Sequence, residues 1–344
     1  MSRTLGVVVV GYGFMGSTHL AAWRLVPEAT IRAVVGRNRE KAAQVAEPYG
    51  AAVYGSLDEA LAQEGVDVVD ICTPTHLHEE QAVRAAEAGK HVLVEKPMAL
   101  TLKQADRMIA AAREAGVKLM VAQVLRFFPE YMKAAEVVFN GAVGEPVTAR
   151  CLRAAPLPGW GSWFTREEES GGVMLDMAIH DVDFLRWVFR DEVDRVYAQA
   201  LRVQAGVETD DHAYLLLHFK GGGIAHVEVS WAVPGNYPFT MALDLIGTQG
   251  RVAFNNHEPI PVTVLAKGET AHYAPESLPW RPMVHPFPID PYYREIRHFA
   301  DSILQDREPA ASGEEARRSL EVCLAAKLSA REGRPVDLPL QGEV

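Results

Sequence analysis

The chain is short of cysteine, of long apolar runs and of basic charge, and each shortage removes a class of protein. Cys72, Cys151 and Cys323 are its only three cysteines. They are odd in number and far apart, so neither a disulfide framework nor a thiolate metal cluster is expected. A reducing, cytoplasmic setting fits the same count. No run reaches the roughly 18 apolar residues of a membrane span, and the N-terminal residues lack the order of a secretory signal. Lys and Arg number 34 against 45 Asp and Glu, a formal net charge of −11. That balance, without a basic stripe, argues against a nucleic-acid partner. Repeats and low-complexity tracts are absent.

What remains is a chain of 344 residues, 48% apolar, long enough for two domains. It is organised around Leu5 to Gly16, LGVVVVGYGFMG. A buried-strand pattern runs into Gly11-x-Gly13-x-x-Gly16, and a helical segment follows at once. In such a strand–turn–helix the first glycine makes the turn, the second admits a pyrophosphate, and the third lets helix and strand approach. Amides at the helix start then face a phosphate. Gly11, Gly13, Phe14, Met15 and Gly16 are therefore candidate cofactor contacts.

Up to about residue 123, strands at 31–35, 53–54, 66–71, 91–94 and 117–121 alternate with helical segments. This is the pattern of a doubly wound parallel sheet, with its ligand crevice at the C-terminal strand ends. After a helical stretch at 127–139 and a strand at 147–152, an amphipathic helix is expected over 175–188. Successive strands without helices then fall at 193–203, 212–219, 224–231, 241–247 and 251–254. They imply a large, mostly antiparallel sheet with one open face. A proline-rich loop at 274–291 precedes closing helices at 292–305 and 313–330. The expected architecture is an α/β Rossmann domain, residues 1–123, followed by an α+β substrate-binding and oligomerisation domain, residues 124–344. The active site is expected between them.

Three constellations could carry chemistry. At the end of the second strand, where an NAD-preferring domain places an acid about 20 residues beyond the glycines, the chain reads Val35-Gly36-Arg37-Asn38-Arg39. A small residue and a guanidinium replace the carboxylate. Arg pairs well with a 2′-phosphate, which leans the cofactor toward NADP; on an NAD enzyme Arg37 would be a solvated residue answered by Glu40. The second constellation is Glu95-Lys96-Pro97, at a strand end that should face the cofactor, where Lys96 can stabilise an alkoxide and pass a proton. The third is the segment 171–181, in which Asp176 and His180 are four apart and share a helix face. Asp183 lies close enough to make a metal site conceivable, but no strong ligand joins it, and none is assigned. Thr73, Pro74, His76 and His78 follow another strand end as further cofactor contacts. Trp160, Trp163 and Trp231 are either an apolar wall for a sugar ring or core.

Taken together, GYGFMG, CTPTHLHEEQAVRAAEAGKHVLVEKPMAL, GGVMLDMAIHDVDFLRW and EIRHFADSIL resemble the glucose–fructose oxidoreductase, inositol dehydrogenase and rhizopine catabolism family over nearly the whole chain. The wording is nearest to the inositol dehydrogenases. The resemblance implies NAD(P)-dependent hydride transfer at a hydroxyl of a sugar, cyclic polyol or derivative. It places the catalytic groups on Lys96, Asp176 and His180, with His180 as general base. It adds Arg126, within 123–127, to a substrate-binding set that includes Trp163. It also implies a homodimer or homotetramer through the open sheet. The chain departs from the family at the missing second-strand acid and at Val173, where a third glycine is usual. The wording after Trp231 is not that of an inositol dehydrogenase proper, which stays an alternative. A dinucleotide-binding sensor or scaffold is another, and would have no use for the trio.

Overall fold

The computed structural model describes residues 4–276 and 290–341, so most of the loop expected at 274–291 lies outside the described residues. Contacts divide the chain into two compact units, Met1–Phe127 with Leu278–Arg317, and Phe128–Ser277 with Arg318–Val344.

In the first unit, β1 (Leu5–Val10), β2 (Ala29–Val35), β3 (Ala52–Tyr54), β4 (Val68–Ile71), β5 (His91–Glu95) and β6 (Leu119–Ala122) form one sheet. Its order is β3-β2-β1-β4-β5-β6, and every pairing is parallel. Every residue of β1 is buried, as expected for a parallel strand covered on both faces. The chain winds one way from β1 to β3 and the other way from β4 to β6. The reversal therefore falls between β1 and β4, the place where such sheets open for a ligand. Sharp helix ends hold the loops in register. Leu102–Ala115, for example, starts in a Thr101/Gln104 capping box and stops at Gly116, φ 65°.

One closing helix belongs to this unit rather than the second, where the sequence placed it. Asp290–Leu304 buries Ile296, Phe299, Ala300 and Ile303 in one cluster with Leu20, Trp23, Met120 and Phe127. Its apolar stripe completes the core on that side of the sheet.

The second unit is built on a nine-stranded sheet. Its strands are β7 (Pro146–Ala154), β8 (Val193–Leu201), β9 (His212–Phe219), β10 (Ile224–Ser230), β11 (Thr240–Gly247), β12 (Gly250–Asn255), β13 (Val262–Ala266), β14 (Glu269–Tyr273) and β15 (Val336–Asp337). The order is β14-β13-β12-β11-β7-β10-β9-β8-β15, antiparallel except where β7 meets β10. Along β9, Ala213, Leu215, Leu217 and Phe219 are buried while Tyr214, Leu216 and His218 face out, the period-two signature of a half-buried sheet. Beneath the covered face, Arg153 of β7 makes a bidentate pair with Asp181, at 2.9 and 3.1 Å, with both side chains buried. Burying two charges is costly, and the two parallel hydrogen bonds offset that cost. Among the described residues, no helix is long and apolar enough to cross a membrane.

Phe299 is fully buried, so Phe299→Ala should cost about 3–5 kcal/mol. Chemical denaturation followed by intrinsic tryptophan fluorescence checks this. A loss of a few tenths of a kcal/mol would mean that the helix does not close the first core.

Candidate active site

The glycine motif is explained by two kinds of space. Gly11 has φ +102°, and a Cβ there would sit 2.5 Å from the Cys72 carbonyl oxygen; one at Gly16 would sit 2.2 Å from the Gly11 oxygen. These two glycines answer to protein backbone, which lets the turn after β1 lie against the end of β4. Gly13 is different. Its φ of −72° is open to any residue, it caps the helix Phe14–Trp23 without a side-chain hydrogen bond, and a Cβ there meets nothing within 4 Å. No protein atom requires a glycine at 13. A phosphate drawn to the uncapped amides does. The cradle therefore fits the dinucleotide that the spacing implies.

At the end of β2, a surface hollow is lined by Arg37, Asn38, Arg39 and Glu40. Asn38 is committed: its side chain accepts the Lys41 N–H and caps the next helix. Arg39 is paired with Glu59 at 2.7 Å. Arg37 is exposed and has no hydrogen-bond or ion-pair partner among the described residues, so the answering charge from Glu40 that the NAD alternative invoked is not seen. Gly36 has a reason of its own, since a Cβ there would strike the Tyr12 ring at 2.1 Å. Tyr12 is thus a residue of this end that the sequence reading passed over.

Beside the cradle, at the C-terminal ends of β4 and β5, lie the half-buried Thr73, Pro74, His76 and Lys96. The Thr73 hydroxyl donates to Gln81 at 2.7 Å. His78 is buried and turned inward, its ring nitrogens 2.8 Å from the Thr73 oxygen and 2.9 Å from the Pro97 oxygen. Burial lowers its pKa, so the neutral ring donates to one carbonyl at a time. It ties the loop after β4 to the loop after β5. Arg126 is also buried and spans part of the same unit, donating to the Ala310 carbonyl and lying 3.8 Å from Glu315.

Under these loops is a charged cluster that the sequence reading missed. His19, in the second turn of the glycine-motif helix, places Nδ1 2.9 Å from Asp70. The Trp23 indole donates to the same carboxylate at 2.7 Å. His19 Nε2 lies 3.2 Å from Glu95 Oε1, and Glu95 Oε2 accepts the Lys96 main-chain N–H at 3.0 Å. Burial alone would lower the His19 pKa, but the Asp70 carboxylate and Cys72 outweigh it and hold the ring well above its ordinary range. Burial would raise Glu95, yet His19 and Lys96 keep it below the usual carboxylate value. His19, Asp70 and Cys72 bring their potential ligand atoms within 4.8 Å of one another. Burial pushes the Cys72 thiol up, and the contacts within the group are the His19–Asp70 ion pair and the Cys72 thiol donating to Asp70 at 3.5 Å.

In the second unit, Asp176 and His180 occupy consecutive turns, but not of one uniform helix. Met174–Ala178 is a π-helical turn leading into the α-helix Ile179–Phe189. Such a turn inserts a residue and re-aims its side chains, a recurrent device at functional sites. Asp176 is buried and His180 half-buried. Two positive-φ glycines, Gly171 and Gly172, precede the turn. A Cβ at Gly172 would strike the Thr209 hydroxyl. Asp183 points elsewhere, accepting from Ser319, which itself accepts from Arg186. Trp163 is half-buried and stacks on Phe164 with ring centres 3.9 Å apart; Trp160 and Trp231 both meet Phe164 edge-on.

A parallel sheet with a glycine cradle at its switch point defines a dinucleotide-binding protein. Comparison with known families narrows the class. Residues 5–123 match the oxidoreductase family with NAD-binding Rossmann fold, and residues 131–253 match the GFO/IDH/MocA C-terminal domain. The chain belongs to the GFO/IDH/MocA family of oxidoreductases. It is 29% identical to myo-inositol 2-dehydrogenase of Thermotoga maritima, over 96% of this chain and 97% of that one. It is 31% identical to 1,5-anhydro-D-fructose reductase of Ensifer adhaerens, over 82% and 83%. Among solved structures, GenD2 from gentamicin A biosynthesis, in complex with NAD, superposes with a TM-score of 0.87 at 29% identity, covering 99% of this chain and 98% of its own.

Alanine substitutions separate the two roles of the glycines. Gly13→Ala should leave the melting temperature unchanged and weaken NADH binding roughly tenfold or more. Gly11→Ala should destabilise the fold itself, by about 1–3 kcal/mol. Thermal melts and NADH fluorescence titration check both; equal effects from the two variants would mean that Gly13 serves packing.

Proposed function

We propose that the protein is an NAD(P)-dependent dehydrogenase acting at a carbinol carbon of a sugar, cyclic polyol or sugar derivative. The observation that carries the reading is the position of Lys96 at the end of β5, on the same sheet end as the open glycine cradle. In this reading the amides around Gly13 to Gly16 hold the pyrophosphate, and Thr73, Pro74 and His76 flank the nicotinamide. The bound cofactor supplies the hydride acceptor or donor. The Lys96 ammonium donates to the substrate hydroxyl oxygen and stabilises the negative charge that develops there. An imidazole nitrogen of His180 takes the hydroxyl proton as the carbon gives up hydride, and returns it in the reverse direction. Asp176 accepts hydrogen bonds from neighbouring hydroxyls, which fixes the reacting carbon. Trp163 offers an apolar face to the substrate ring. The relatives named for inositol and anhydrofructose chemistry support the substrate class.

The finer cofactor choice rests on Arg37, a guanidinium left uncommitted among the described residues where an NAD enzyme would carry an acid. We propose that it clamps a 2′-phosphate, so that NADP is the preferred cofactor. The open face of the nine-stranded sheet carries exposed Tyr214, Leu216, Ile224 and Ile246, and we assign to it the contact of a homodimer or homotetramer.

Two measurements test the chemistry. Arg37→Ala should weaken NADPH binding roughly tenfold and leave NADH within about twofold; equal losses would assign the arm to NAD. His180→Ala should reduce kcat on a polyol and aldose panel by about 100-fold or more with cofactor affinity intact. Wild-type turnover in that variant would remove the proton-transfer assignment. Light scattering reads the assembly, and a monomer at micromolar concentration would overturn the sheet contact.

A further inference from the structure

The buried charges beneath the Lys96 loop are used by nothing in the mechanism above, and their geometry is directional. They begin on the helix whose N-terminus forms the glycine cradle and end on the main chain of Lys96. We propose that His19 is a positioning residue for Lys96: Asp70 clamps one of its ring nitrogens, the other anchors the Glu95 carboxylate, and Glu95 in turn anchors the Lys96 main chain. This inference rests on the reading of Lys96 as the group that meets the substrate.

Each link is short. His19 Nδ1 sits between the two Asp70 oxygens, at 3.0 and 2.9 Å. Asp70 is held in place by the Trp23 N–H at 2.7 Å and by the Cys72 thiol at 3.5 Å. Nε2 lies 3.2 Å from Glu95 as an ion-pair contact rather than a directed hydrogen bond, so this link is mainly one of charge. Glu95 Oε2 then holds the Lys96 N–H. His19 and Asp70 have no exposure and Glu95 only 7%. In such an interior, attraction between opposite charges is weakly screened, and a carboxylate that lost its cation would turn toward water. Lys96 follows Glu95 directly, so a shift of that carboxylate moves the lysine.

The cluster also couples two parts of the site. Rotation or sliding of the glycine-motif helix carries His19 with it, and through Glu95 the lysine loop. Seating of a pyrophosphate on the helix start and placement of the ammonium become one adjustment. The groups facing the imidazole are Asp70 and Cys72 from the β4 end, Glu95 from β5 with Lys96 beyond it, Trp23 from its own helix, and the Tyr292 ring at 6.3 Å. Asp70 and Glu95 favour the doubly protonated ring, and no other cation touches it among the described residues.

The test compares the full-length wild type with His19→Gln, Glu95→Gln and Lys96→Ala. Competitive acetylation with isotopically labelled acetic anhydride, run from neutral to alkaline pH, reads the Lys96 amine by peptide mass spectrometry. Exposed Lys103 and Lys220 serve as internal standards. NADH fluorescence reads cofactor binding, and turnover is measured on the polyol and aldose panel. We expect His19→Gln and Glu95→Gln to change the Lys96 labelling profile about threefold or more against the standards, with kcat down roughly tenfold and NADH affinity within about twofold. Unchanged Lys96 labelling and unchanged kcat in both variants would overturn the proposal. If His19→Gln fails to fold, Glu95→Gln, which keeps the shape of the carboxylate, decides by the same readouts. Lys96→Ala separates the two levels. Full turnover in that variant removes Lys96 from catalysis, whereas the labelling result still decides whether His19 places it.

Discussion

The Asp70 carboxylate sits in the interior of the first unit with no solvent to stabilise it. It survives there because an imidazolium, an indole N–H and a thiol all turn toward it. The strand that carries it pairs with β1 on one side and β5 on the other, so the charge is fixed to the part of the sheet where the winding reverses. Around it the fold has little freedom. The glycine-motif helix must bring His19 and Trp23 to the carboxylate, which forces the close approach of Gly11 to the Cys72 carbonyl. The loop after β5 must meet the other side of the imidazole.

The second unit solves a similar problem with different parts. Arg153 and Asp181 neutralise each other beneath the sheet, and Tyr131 lies 3.4 Å from the guanidinium. Asp181 is the neighbour of His180, so the buried pair holds down the helix that begins where the π-helical turn ends. In both units a residue read as chemical is adjacent in sequence to a buried, ion-paired anchor: Lys96 beside Glu95, and His180 beside Asp181. Precise placement of a half-buried functional group is obtained by fixing its neighbour in the interior.

Much of this was legible in the sequence, for identifiable reasons. The alternation of buried strands with helices marked the parallel sheet, because both of its faces are covered and its strands read as continuous apolar runs. The glycine spacing marked the cradle, since Gly11 and Gly16 answer to backbone clashes that no other residue avoids. His19 did not stand out because a single histidine within an apolar helix carries no periodic signal, and its partners are 51 and 76 residues away. The π-helical turn was invisible because a four-residue spacing reads as an ordinary helix. Strands β13 and β14 do not stand out in the sequence: they are only five residues each, and β14, at the sheet edge, is largely polar. The last helix of the first unit was assigned to the second domain because chain order says nothing about which core an amphipathic stripe will join.

That last feature bears on how the protein is made. The first unit is interrupted: its sheet is complete by residue 122, but Ile296, Phe299, Ala300 and Ile303 arrive only after the whole nine-stranded sheet except β15 has been synthesised. At elongation rates of about 5–20 residues per second, the nascent sheet waits roughly ten seconds or more with one apolar side uncovered. Apolar surface left open for that long is prone to associate with other chains. The order in which the ribosome delivers the chain therefore leaves the nucleotide-binding half, the first to be written, among the last to close.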